Sequence, residues 1–138
     1  MNNPKSTSMN QDIIELGLPL NPAYVSAARL TASSIANRMG FDIEDIEDIK
    51  AAVSEACTYL IKQYQLDRNA QSTFKIQFMI KDEGLEIQLT TRKFNKDSDR
   101  EEDGLGILMI EALMDYISIS NKDEIDTHIV MMKKLKNS

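Results

Sequence analysis

The feature that most constrains this chain is a change of period in its middle. In 73-TFKIQFMI-80 and again in 85-LEIQLTT-91, apolar and polar residues alternate with period two, whereas the segments on either side repeat apolar residues at helical spacing. Alternation over seven or eight residues puts every second side chain on one face of an extended strand. The intervening 81-KDEG-84 supplies a turn, so the two runs read as a hairpin. A hairpin with one apolar face needs a second layer to cover it, and the flanking helical patterns are the material for that layer.

In 19-PLNPAYV-25, Asn21 is placed to cap a helix whose first position is Pro22, where a fixed φ and a missing N–H do no harm. Val25, Ala28, Thr31 or Ala32, Ile35 and Met39 recur on one face, and Gly40 is positioned to close the helix in the left-handed conformation. A longer helix starts behind Asp42. Glu44, Asp45, Glu47 and Asp48 crowd its first turns, where the helix dipole favours negative charge, and it runs to about residue 64 on a stripe of Ile43, Ile46, Ile49, Val53 and Leu60. After the hairpin, 92-RKFNKDSDREED-103 predicts an exposed loop. Then 104-GLGILMIEALMD-115 opens on two glycines and turns helical, and 116-YISISNKDEIDTHIVMMKKL-135 predicts a second hairpin turning at 121–124. With a first strand at 12-DIIELGL-18, weakened by Gly17, the order is β-α-α-β-β-α-β-β. The expectation is an α+β two-layer sandwich, a mostly antiparallel sheet with helices on one face, spanning one domain at residues 12–136 behind a flexible polar tail at 1–11.

Composition narrows the function classes. With 138 residues and 42% hydrophobic content the chain can bury one ordinary core. The net charge is −6 and the lysines and arginines are scattered, so no basic face predicts contact with nucleic acid. One cysteine, Cys57, and one histidine, His128, leave no metal-ligand spacing and little material for a catalytic triad; no metal site is predicted. No apolar run has the length of a membrane span and the N-terminus lacks a signal core, so the expected location is the cytoplasm, with no membrane contact.

Three segments, 29-RLTASSIANRMGF-41, 46-IEDIKAAVSEACT-58 and 103-DGLGILMIEALMD-115, occur in an order that resembles the bacterial anti-sigma factor serine kinases, small members of the GHKL or Bergerat-fold ATPases. The resemblance covers about residues 13–135. It implies a switch that holds a sigma factor inactive and phosphorylates a serine on a STAS-type antagonist, works as a homodimer through the sheet and first-helix region, and uses ATP with Mg²⁺. It further implies that Glu55 stands at the position of the general base, which must reach the attacking hydroxyl. The magnesium-holding Asn four residues on is replaced by Tyr59, although a small hard cation wants compact oxygen ligands. Thr91 replaces the adenine-binding Asp, and Lys93 replaces the glycine two residues later. The lid, 94–103, is short for the family and ends in three acidic residues. Gly104 and Gly106 match the glycine box, whose N–H groups can cradle phosphate. In the last Gly-Thr pair, Asp126 replaces the glycine and Thr127 is kept.

Three altered boxes of four predict a regulator that binds a sigma factor, a STAS-type antagonist or both, with ATP binding and kinase activity lost and no cofactor. The alternative is a working ATP- and Mg²⁺-dependent serine kinase with Glu55, Gly104, Gly106 and Thr127 as its surviving parts, and a third reading is a different small ligand in a remodelled pocket. Glu55 reads as a relic of the base or as a solvent-facing carboxylate, with Asp48 and the small Ala51 and Ala52 suggesting a groove beside it. Tyr59 reads as filling of vacated space, and Gly104 and Gly106 equally as a simple turn into the helix. Arg29 matches a family position that contacts partners, a task suited to its fixed fork of donors. Met109, Met114, Met131 and Met132 are expected in the core or an interface, His128 in a structural role, and Cys57 as a buried hydrophobe.

Overall fold

A computed structural model of the chain describes residues 12–64, 73–92, 104–120 and 126–136. Strand β1 spans Asp12–Pro19 and is followed by a 3₁₀ turn at Pro22–Tyr24 and helix α1 at Val25–Met39. Helix α2 spans Ile43–Tyr64, β2 Thr73–Ile80, β3 Gly84–Arg92, α3 Gly104–Leu113, β4 Tyr116–Ser120 and β5 Asp126–Lys134. The expected order of elements is present. The predicted linker at 66–72, the lid and the second hairpin's turn fall outside the described residues.

Local chemistry sets the helix ends. Asn21 accepts a hydrogen bond from the Ala23 N–H at 2.8 Å, but the turn it caps is 3₁₀, and the α-helix begins only at Val25. Gly40 takes φ 96°, and its N–H reaches the carbonyls of Ala36 and Asn37, so the C-terminal prediction holds at the level of the backbone angle. Asp42 accepts from the Asp45 N–H at 2.8 Å and caps α2.

All strand pairs are antiparallel, in the order β1-β2-β3-β5-β4. The register aligns Leu16 and Leu18 of β1, Phe74, Ile76 and Phe78 of β2, Leu85, Ile87 and Leu89 of β3, and Ile129 and Met131 of β5 on the face covered by helices. From above, α1 buries Ala28, Ala32, Ile35 and Ala36, and α2 buries Ile49, Ala52, Val53, Ala56, Cys57 and Leu60. The alanines let the two helices approach closely over one core. Gly17 does not interrupt β1, because β1 is an edge strand and nothing crowds that position. At Gly84 the opposite holds: a Cβ there would lie 2.2 Å from the Lys133 carbonyl oxygen, so β3 and β5 can come together only with glycine.

The buried face carries three polar residues, at its two ends. Thr91 and Thr127 face each other across β3 and β5 and are both buried. At the other end Lys133 is buried against Leu85. Its ammonium lies 3.2 Å from Asp48 Oδ2 and 3.7 Å from Asp45 Oδ1, and it donates to the Leu113 carbonyl, tying the start of α2 and the end of α3 to β5. Of the methionines, Met114 and Met131 are core residues, but Met109 is exposed because it lies on the outer side of α3. Among the described residues no helix is long and apolar enough to cross a membrane.

Candidate functional site

The second half of α2 presents Glu55, Thr58, Tyr59 and Lys62 along one flank, at the i, i+3, i+4 and i+7 spacing that aligns side chains on a helix. The first turns of α3 face this flank with Leu105, Gly106 and Met109, and the two helices enclose a cavity of about 300 Å³, at the low end for a small-ligand pocket. Gly106 decides how close they come. A Cβ at this position would lie 3.3 Å from Glu55 Oε1, so the missing side chain lets the carboxylate rest against the opening turn of α3. Glu55 is half-buried, and among the described residues its carboxylate has no hydrogen-bond or ion-pair partner. Tyr59 is half-buried at the cavity wall, packed against the core, and its interactions are not limited to that packing.

The remaining predicted site residues lie elsewhere. Thr91 is only 4% exposed, and its hydroxyl donates to the Thr73 carbonyl at 3.2 Å. Thr91 and Asp126 border a different depression, of about 330 Å³, together with Glu15, Gly17, Lys75 and Thr90 at the end of the sheet. Among the described residues this depression shares no lining residue with the Glu55 cavity. Thr127 is buried beside Thr91 and is engaged in interactions of its own. Gly104 is exposed with open space around it and does not line the cavity. Lys93 and the lid lie outside the described residues. Arg29 is exposed on α1 beside Leu30, in a helix without acidic residues.

Two expectations need correction. Asp48 does not share a groove with Glu55: it does not line the cavity, and Lys133 of β5 holds its carboxylate in the first half of α2. Ala52, expected to open that groove, is fully buried in the core. Elsewhere, burial pushes the Cys57 thiol up to about 12, which removes it from thiolate chemistry at neutral pH. His128 sits on the solvent face of the sheet, with Nε2 3.1 Å from Gln88 Oε1. The described residues contain no group of three or more His, Cys, Asp or Glu side chains able to hold a metal ion.

Sequence reasoning missed Thr58, Lys62, Leu105 and Met109 as cavity residues. The signal for the first two was present in their helical spacing from Glu55. The other two needed the packing of α3 on α2.

The histidine kinase-like ATPase domain family matches residues 18–133. A serine-protein kinase RsbW of Oceanobacillus iheyensis is 37% identical, over 91% of this chain and 87% of its own length. The serine-protein kinase RsbW of Bacillus subtilis is 35% identical, over 81% of this chain and 80% of its own. In a crystal structure of the RsbU and RsbW domains of a Mycobacterium tuberculosis protein, the matching region superposes with a TM-score of 0.72 at 16% identity, covering 92% of this chain and 33% of that longer one. The last likeness establishes the shared fold.

Proposed function

Because the chain belongs to the RsbW family of serine-protein kinases, within the histidine kinase-like ATPase domain family, we propose that it is a regulator that acts by binding a sigma factor, a STAS-type antagonist or both, without ATP-driven phosphoryl transfer. The observation that carries this reading is the division of the site. Glu55 and Gly106 line one cavity, and the position expected to hold adenine, Thr91, is buried at another with its hydroxyl engaged by the backbone. ATP and Mg²⁺ do not fit these residues. Tyr59 offers a phenol ring where a small hard cation needs compact oxygen ligands. Thr91, 4% exposed and with its hydroxyl donating to the Thr73 carbonyl, lacks the charge and reach of the aspartate that accepts from the adenine amino group. Glu55 is then a retained carboxylate without a phosphoryl group to work on.

Partner binding has its own support. Arg29 and Arg38 are the only charges on α1, both cationic on an acidic protein, and Leu30 is exposed next to Arg29. Homodimerisation is supported by β1, an edge strand whose Ile13 is 54% exposed. A groove of about 540 Å³ runs between β1 and Ile35, Arg38 and Met39 of α1. An unpaired edge with apolar side chains is a template for association. Sedimentation analysis is expected to give a dimer that Ile13→Lys converts to monomer; an unchanged dimer would place the interface elsewhere.

Calorimetry with Mg²⁺·ATP tests the central reading. The wild type is expected to give no binding heat, and Tyr59→Asn/Thr91→Asp is the variant in which binding would be restored. Micromolar binding by the wild type overturns the reading in favour of a working kinase, in which Glu55→Ala would abolish phosphoryl transfer to the antagonist.

A further inference from the structure

We propose that the outer face of α3 and the Glu55 cavity together form a docking surface for an amphipathic helix of a protein partner, one that brings a basic side chain to Glu55 beside an apolar stripe. The inference rests on the reading that the cavity takes no nucleotide.

Helix α3 buries Ile110 on its inner side, yet its outer side shows Leu105, Leu108, Met109 and Ala112 to solvent, at i, i+3, i+4 and i+7. Leu105 is 69% exposed, Leu108 60% and Met109 43%. A helix that is apolar all round is ordinarily covered all round, and a contiguous exposed stripe of this kind marks an interaction site. The spacing matches the anchors of a partner helix laid along it. The stripe runs into the cavity, because Leu105 and Met109 belong to both.

Charge selects the kind of helix. The carboxylate of Glu55 is half-buried at the cavity wall with no partner among the described residues. Glu111 is exposed on α3 next to the stripe, so a second carboxylate is open to a cation there. Lys62 lines the same cavity but is solvent-exposed, whereas Glu55 is half-buried, so water and salt screen the ammonium more than the carboxylate. An incoming Arg or Lys would meet a carboxylate partly withdrawn from water, where a charge-assisted hydrogen bond is stronger than at an open surface.

The test uses the full chain, isotope-labelled, and two synthetic peptides of about 18 residues, five helical turns. Both peptides carry leucines at i, i+3, i+4 and i+7; one has arginines flanking the stripe and the other has glutamates. The arginine peptide is expected to shift the backbone amides of residues 55–62 and 105–112 and to bind about tenfold more tightly than its acidic counterpart, about 1.4 kcal/mol. Leu108→Ser should weaken it about tenfold, Glu55→Gln should remove most of the preference for arginine, and Asp82→Ala, in the exposed turn between β2 and β3, should leave it unchanged. Equal binding of both peptides, shifts mapped to another face, self-association through α3 in place of peptide binding, or no binding at all would overturn the inference. A parallel titration with Mg²⁺·ATP keeps the two readings apart. Shifts from ATP overturn the nucleotide-free function whatever the peptides do, and a failure of the peptides alone removes only this surface.

Discussion

The two halves of α2 hold their carboxylates in opposite states. At the N-terminal half, Asp45 is buried between Lys133 and Lys136, and Asp48 is held by the same Lys133. At the C-terminal half, Glu55 stands at a cavity wall without a partner among the described residues. Both halves belong to one continuous helix, so local propensity does not separate them. What differs is the neighbour: β5 offers an inward lysine to the first half, and α3 offers the second only a glycine turn and apolar side chains. Carboxylates that hold a fold together are neutralised where they are buried. One left open beside a cavity is available to something outside the chain.

This contrast can be broken by mutation. Lys133→Met leaves Asp45 buried with only the exposed Lys136 beside it and takes the ammonium from Asp48, and should cost about 3 kcal/mol of stability in urea unfolding, the scale for breaking a buried ion pair. A loss as small as that of an exposed substitution would mean that the paired half is no more structural than the open one. Gly84→Ala presses a methyl group on the Lys133 backbone, which cannot swing away, so a loss of about 2 kcal/mol is expected, with the midpoint of thermal unfolding falling accordingly.

A smaller effect is expected on the solvent face, where Lys81 and Gln88 both donate to Glu86. Partial burial pushes the Glu86 carboxyl up, but the hydrogen bonds from Lys81 and Gln88 and the charges of Lys81 and His128 outweigh it and hold the group below its ordinary value. Lys81 is held above its ordinary value chiefly by its hydrogen bond to Glu86. A depressed carboxyl contributes stability above its unfolded pKa of about 4.3 and loses it as pH falls through the lower folded value. A raised lysine contributes below about 10.4 and loses it as pH rises through the higher folded value. Glu86→Gln should therefore cost about 1 kcal/mol at pH 7, with the difference from wild type closing under strong acid in a pH series of unfolding curves. A difference independent of pH would assign the cost to packing.

The smallest effect belongs to the open half. Glu55→Gln should change stability by no more than about 0.5 kcal/mol, since its carboxylate has no bond to lose among the described residues. Gly106→Ala should stay within about 1 kcal/mol of neutral: its new methyl meets only the end of a flexible side chain, and alanine favours the helix. A large loss in either variant would show Glu55 to be structural and erase the contrast between the two halves.

Much of this was legible before any coordinates. The period-two runs, the Pro22 and Gly40 boundaries and the capping Asp42 are local signals, and each came out within a few residues of its predicted place. The Asn21 cap was also readable, but not that the turn behind it would be 3₁₀, which depends on how the chain leaves β1. Glu55 and Gly106 could be paired on resemblance alone, and the fold does bring them together. Alternation alone put Thr91 on the face of Leu85, Ile87 and Leu89, but not its pairing opposite Thr127 or the capture of its hydroxyl by the Thr73 carbonyl, which depend on sheet register.

The sequence by itself determined the elements, their order, the apolar faces and the family, because capping, periodicity and motif spacing act over a few residues and need no partner. Only the tertiary structure decided which carboxylates are neutralised, which glycine is obligatory and which residues share a cavity. Lys133 reaches Asp48 across 85 positions of sequence, and Gly106 meets Glu55 across a shorter but still long gap. The energy of such contacts depends on burial and distance, and both are set when the helical layer closes over the sheet.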